Sequence, residues 1–230
     1  MKAAADRTAR SASARGGFTD ADYGTGSAGS IQARLAALDW KAIEESLWRF
    51  GYAKAGPVLT PAECAELIAT YADAGRFRSR VNMARFKFGV GDYQYFAAPL
   101  PPLVQALRTH AYPPLAAIAN QWEAALGTAL LHPPDLAALQ ALCRRRGQTK
   151  PTRRGVDYTG GDFLLVEQRP RAQSRGEAIA TEQGEIVIFT TRYRPAEGAR
   201  GFYRATVRHG VSRVLSGSRY TLGVIFHDAK

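Results

Sequence analysis

Apolar side chains recur every three to four residues up to Gly147 and every second residue after it, so the chain reads as helices first and strands afterwards. Trp40, Ile43, Leu47 and Phe50 form a stripe at helical spacing. Asp39 stands before it as a cap and Gly51 stops it. Ordered structure is expected from Ile31. Residues 52–59 read as short and extended, and Thr60-Pro61-Ala62-Glu63 is a capping box with proline at the first helical position. Cys64, Leu67, Ile68 and Tyr71 then mark one helical face, which Gly75 ends, with Cys64 expected as a small buried hydrophobe. The aromatic and glycine mixture over 80–96 predicts strand and turn. Residues 101–126 predict a helix broken at Pro113-Pro114, and 135–146 a helix ending at Gly147.

Beyond Gly147 the segments 162–168, 184–190, 202–208 and 219–227 are strand candidates, punctuated by Gly160-Gly161, Gly198 and Ser216-Gly217-Ser218. This order predicts an α+β protein whose C-terminal strands form an antiparallel sheet curled into a barrel or sandwich. Residues 1–30 hold almost no large apolar side chains and read as a disordered basic tail, leaving one domain over 31–230 with a helical part (31–147) and a β-rich part (148–230).

Composition narrows the function. Hydrophobic residues make up 46% of the chain, enough for a core, and no apolar run approaches the about 18 residues of a membrane span. Cys64 and Cys143 cannot form a disulfide framework and fit a reducing, cytoplasmic setting. The net charge of +11 is concentrated in the tail and in Arg144, Arg145, Arg146, Lys150, Arg153 and Arg154. No run alternates these cations with aromatics, so nucleic acid is not the expected partner, although a basic nucleic-acid-associated protein remains one alternative.

Candidate chemistry lies near the C-terminus. His209 ends one strand candidate, and Arg219 opens the next with Thr221 and Gly223 on the same face by alternation. An arginine beside a hydroxyl suits a bidentate carboxylate grip, and a nearby imidazole suits a metal. From spacing alone, a sheet histidine and a surface arginine are the commoner outcome. His110 and His132 have no second ligand at helical spacing and read as surface or packing histidines.

The His-(ten residues)-Arg-x-Thr pattern resembles the distal half of the iron(II)/2-oxoglutarate-dependent oxygenase signature. Met83-Ala84-Arg85, Pro99-Leu100-Pro101-Pro102, Gly147 to Thr152, Gly160-Gly161-Asp162-Phe163 and Glu167-Gln168-Arg169-Pro170-Arg171 are similar to a bacterial branch of that family related to prolyl hydroxylases. The resemblance runs from about Leu38 onward. It implies helices packed on an antiparallel double-stranded β-helix, or jelly roll, with His209 as a metal ligand, Arg219 and Thr221 on 2-oxoglutarate, and iron(II) and 2-oxoglutarate as cofactors of a hydroxylase-type dioxygenase.

One departure qualifies that implication. The family carries a His-x-Asp pair before the distal histidine. Here the sequences after the four histidines are His110-Ala-Tyr, His132-Pro-Pro, His209-Gly-Val and His227-Asp-Ala. The block between the Lys-Pro-Thr and Gly-Gly-Asp-Phe stretches is missing, since Thr152 runs through 153–156 into Asp157. Phe86 also stands where a family histidine is expected. Asp157 and Asp162 are the nearest carboxylates for recruitment, and Asp162 at a strand start is expected to face solvent. The expectations are therefore an incomplete β-helix with an exposed sheet edge open to self-association, and either an impaired oxygenase or a non-catalytic relative acting as a binding module.

Overall fold

The computed structural model describes residues 29–83, 92–145, 159–160, 162–168, 173–212, 214–216, 219–224 and 226. Residues 1–28 of the expected tail, most of the arginine cluster, Asp157 and His227 lie outside them.

The helices form where the sequence supplies their ends. Ser30 caps α1 (Ile31–Ala36). Helix α2 (Trp40–Phe50) begins where the Asp39 carboxylate accepts the Ala42 N–H at 2.9 Å, and ends at Gly51, whose φ of 81° few side-chain-bearing residues adopt. The capping box of α3 (Pro61–Ala69) is present in both directions. Short 3₁₀ turns follow, so the regular helix ends at Ala69 and not at Gly75; Cys64 is only half-buried. Helix α4 (Pro102–Ala125) runs unbroken through Pro113 and Pro114, contrary to the expected break. Burial holds it: Leu107 packs with α1, Tyr112 and Ala116 pack with α5 (Leu136–Arg145), and Ile118 packs with α2. These contacts outweigh the helix cost of proline, about 3 kcal/mol per residue.

The strands are β1 (Tyr52–Ala55), β2 (Phe77–Asn82), β3 (Asp92–Phe96), β4 (Thr159–Gly160), β5 (Phe163–Gln168), β6 (Arg175–Ile179), β7 (Ile186–Phe189), β8 (Tyr193–Gly198), β9 (Gly201–Val211) and β10 (Val214–Ser216). They pair antiparallel as β1-β7, β2-β3, β4-β10 and the four-stranded sheet β6-β5-β9-β8. The protein is thus α+β.

The sheets lie in layers. One face of β1-β7 presents Ala53 and Ile188 to Ile43, Leu47 and Ile118 of the helices. Its other face presents Tyr52, Val187 and Phe189 to Leu165, Ile179 and Val207 of the four-stranded sheet. Period-2 alternation produces both faces, since successive side chains of a strand point to opposite sides. A buried ion pair crosses the larger sheet: Arg194 Nε lies 2.6 Å from Glu167 Oε2, and the same guanidinium donates to the carbonyls of Trp48 and Pro195.

Of the expected strand over 219–227, the described residues 219–224 and 226 form none; 225 and 227 lie outside the described residues. Residues 219–224 run without ladder pairing across the helical side, where Tyr220 meets the Tyr71 ring at 5.6 Å and Leu222 packs on the Ile31, Leu35, Val58 and Leu107 cluster. Side-chain anchoring replaces sheet pairing there.

Candidate functional site

His209 stands on β9 opposite Leu165 of β5. Alternation puts it on the face of buried Ala205 and Val207, the face turned toward β1-β7. The core ends before His209, which is exposed. Its ring stacks on Phe163 with centroids 6.1 Å apart and an interplanar angle of 21°, and meets Phe189 at 5.0 Å. Two aromatic rings, from β5 and β7, thus meet the imidazole on this face.

The carboxylates on the same face are engaged with arginines. Glu167 is held by Arg194, and Glu177, opposite Leu165 on β6, lies 2.8 Å from Arg175. Asp162, half-buried, precedes β5, and its backbone N–H donates to Ser212 Oγ at 2.8 Å. Among the described residues no group of three or more His, Cys, Asp or Glu side chains gathers to hold a metal ion. His209 supplies one imidazole, and one imidazole does not hold iron(II) through turnover. The described residues therefore do not fit the metal that the resemblance implies.

Arg219 is 7% exposed, whereas Tyr220 beside it is 38% exposed and Thr221 is half-buried. A guanidinium taken this far out of water needs acceptors around it, and Arg219 is thus not the surface arginine that spacing alone suggested. His110 and His132 are both half-buried. The backbone of His132 is clasped in both directions by the Asn120 amide, at 2.7 and 3.0 Å.

Sequence reasoning missed Arg194, Glu167 and Arg108, all buried. For Glu167 a signal existed, because Phe163, Leu165 and Glu167 share the core-facing parity of β5. Arg108 falls one residue after Leu107 on a helix whose two sides are both covered, a situation that helical periodicity does not announce. An open hollow of about 680 Å³ lies between α2 and the β8-β9 hairpin, lined by Trp48, Arg49, Arg194 and Phe202 among others; His209 and Arg219 do not line it.

Comparison with known proteins adds the family. A protein-family profile described as "Oxygenase, catalysing oxidative methylation of damaged DNA" matches in two pieces, residues 91–154 and 152–229. The pieces overlap at residues 152–154, the junction where the sequence departs from the resemblance. Two proteins of Mycobacterium tuberculosis, one from strain CDC 1551 / Oshkosh and one from strain ATCC 25618 / H37Rv, are each 40% identical to this chain over 167 residues. Their names state no function. Those alignments take in 72% of each relative but 58% of this chain, about 133 of 230 residues, so about 34 aligned positions of the relatives face no residue here. No solved structure matches.

Proposed function

The chain belongs to this oxygenase family, and on that premise we propose that it is an iron(II)/2-oxoglutarate-dependent oxygenase of hydroxylase type by descent, whose catalytic competence is impaired. The two facing antiparallel sheets are, in this reading, the remnant of a double-stranded β-helix. In this reading the chain is assigned to the prolyl-hydroxylase-related branch, on the sequence motifs around Met83-Ala84-Arg85 and Gly160-Gly161.

The observation that carries the proposal is the break of the family match at residues 152–154, taken with the commitments of the remaining donors. Glu167 and Glu177 are paired with arginines, which leaves His209 as the family ligand that can be matched. Arg219 and Thr221 are assigned to the far carboxylate of 2-oxoglutarate, a contact that needs no metal. Without chelation of the keto-acid end, binding is weak. The protein then serves as a carboxylate-binding module more than as a turnover enzyme.

Ligand-observed NMR on the whole chain tests this. The expected result is weak 2-oxoglutarate binding that is lost in Arg219→Ala and unchanged by added iron(II). Iron-dependent tightening would show that other ligands complete the site.

A second reading concerns the substrate. The family description names damaged DNA, and a chain of net charge +11 is attracted to polyanions. Nucleic acid therefore stands as the alternative to a small-molecule or peptide substrate. Retention on DNA that falls steeply with salt supports it, and absence of retention at low salt removes it.

A further inference from the structure

Strand β6 ends the four-stranded sheet: β5 pairs with one side, and among the described residues no strand pairs with the other. The direction of its backbone groups follows from the register. The Ser212 N–H donates to the Asp162 carbonyl at 2.9 Å, continuing the β5-β9 register. Even-numbered residues of β5 thus turn their N–H and C=O groups toward β9, and odd-numbered ones toward β6. Arg175, Glu177 and Ile179 lie opposite Glu167, Leu165 and Phe163, so they point their own groups back at β5. Gly176 and Ala178 point theirs away from the sheet.

We propose that this edge pairs with the same edge of a second copy, antiparallel and about a two-fold axis through Gly176. Three features of β6 fit a self-pairing register. Gly176 facing Gly176 exchanges two N–H···O bonds from groups that already point outward. The two-fold then sets Arg175 against Glu177 of the other copy, twice, in non-hydrogen-bonded positions, where Cα atoms approach to about 4.5 Å and side chains are closest. The strand is in this way complementary in charge to itself, which an isologous interface requires. Gly176 carries no side chain at the centre of the pairing, and a Cβ built there would meet nothing within 4 Å on its face of the sheet. Both charged side chains are accessible, at 43% and 34% exposure, and already linked to one another at 2.8 Å. Pairing converts that single bridge into an alternating cluster of four charges.

The occupant is a second copy of this chain, because the Arg-Gly-Glu order matches its own reverse. Another protein's strand would match it only by chance. The pairing joins two four-stranded sheets into one of eight and covers an edge of the kind that otherwise invites uncontrolled pairing. It holds whether or not the protein turns over 2-oxoglutarate.

Sedimentation velocity of the full chain across a concentration series tests the proposal. The wild type is expected to show a monomer–dimer equilibrium that weakens with salt. Arg175→Glu or Glu177→Arg alone faces like charges at both symmetric positions and weakens dimerisation roughly tenfold. Mixing the two variants one to one restores the dimer as a heterodimer. Gly176→Pro removes an outward N–H, leaves the β5 ladder intact and abolishes the dimer. Circular dichroism checks the fold, and if the charge variants lose it, Gly176→Pro decides alone. A wild type that stays monomeric, a mixture that stays monomeric while both variants are folded, or a dimer that survives Gly176→Pro overturns the proposal.

Discussion

Arg194 Nε and Glu167 Oε2 stand 2.6 Å apart across β8, β9 and β5, with side chains 8% and 7% exposed. The guanidinium also donates to the Trp48 carbonyl at 2.9 Å and to the Pro195 carbonyl at 3.0 Å. One arginine therefore ties the four-stranded sheet to α2. Gly51, which ends α2, lies over it: a Cβ there would come within 2.9 Å of Arg194 Cδ.

Removing Arg194 takes from the buried Glu167 carboxylate the guanidinium that lies 2.6 Å from it. Arg194→Ala is expected to cost about 3–5 kcal/mol, read as a lower urea midpoint. Replacing both residues with apolar side chains of similar volume is expected to cost much less than either single change, because neither charge is then buried. Equal losses in the single and double variants would show that the pair matters only through packing.

Tyr112, in the α4-α5 cluster, gives a second test. It is 3% exposed in the α4-α5 cluster, and its hydroxyl has no hydrogen-bond partner among the described residues. Burial, then the neighbouring Cys143 and Asp135, push the phenol up to about 12. Because the folded value lies above the unfolded one, the contribution of this group to stability is full below about pH 10 and is lost as pH rises toward 12. Tyr112→Phe is expected to raise stability at neutral pH by about 1 kcal/mol, by removing an unsatisfied buried hydroxyl, and to flatten the alkaline decline. A destabilised Tyr112→Phe would mean the hydroxyl is satisfied.

Glu63 acts in acid. Burial raises its carboxyl, yet the Thr60 backbone N–H and the Arg34 guanidinium at 2.6 Å outweigh burial and hold it below the ordinary glutamate range. A lowered folded value means stability that is present above the unfolded value and lost as pH falls through the folded one. Arg34→Ala is expected to shift that acid loss to higher pH, read from urea midpoints through the acid range. An unmoved acid limb would show that the helix cap alone governs Glu63.

Much of the helical half was legible, because its ends are written in local chemistry. Asp39, Gly51 and the Thr60–Glu63 box each act within a few residues. The continuity of α4 was not legible, since the packing that overrides Pro113 and Pro114 comes from α1, α2 and α5. Strands β6 and β8 were missed for a similar reason. Arg175-Gly-Glu and Tyr193-Arg-Pro carry too few apolar residues to show alternation, and Arg194 gains its buried place from Glu167, twenty-seven residues away. Residues 219–224 look like a strand by composition, but their apolar side chains anchor on helices. At the candidate site, the expectation of a missing His-x-Asp pair rests on the sequence alone. The two aromatic rings beside His209 were not legible there, because Phe163 and Phe189 reach it from two different sheets.

The central claim is the proposal that an oxygenase-family chain in which only His209 is matched to a metal ligand turns over slowly or not at all. Succinate formed by the purified 230-residue protein with iron(II), ascorbate and 2-oxoglutarate, compared with His209→Ala, tests it most directly. The account predicts equal, background-level succinate from both proteins. Sustained succinate from the wild type that disappears in His209→Ala would contradict it, and would mean that a carboxylate such as Asp162 or Asp157 completes the site.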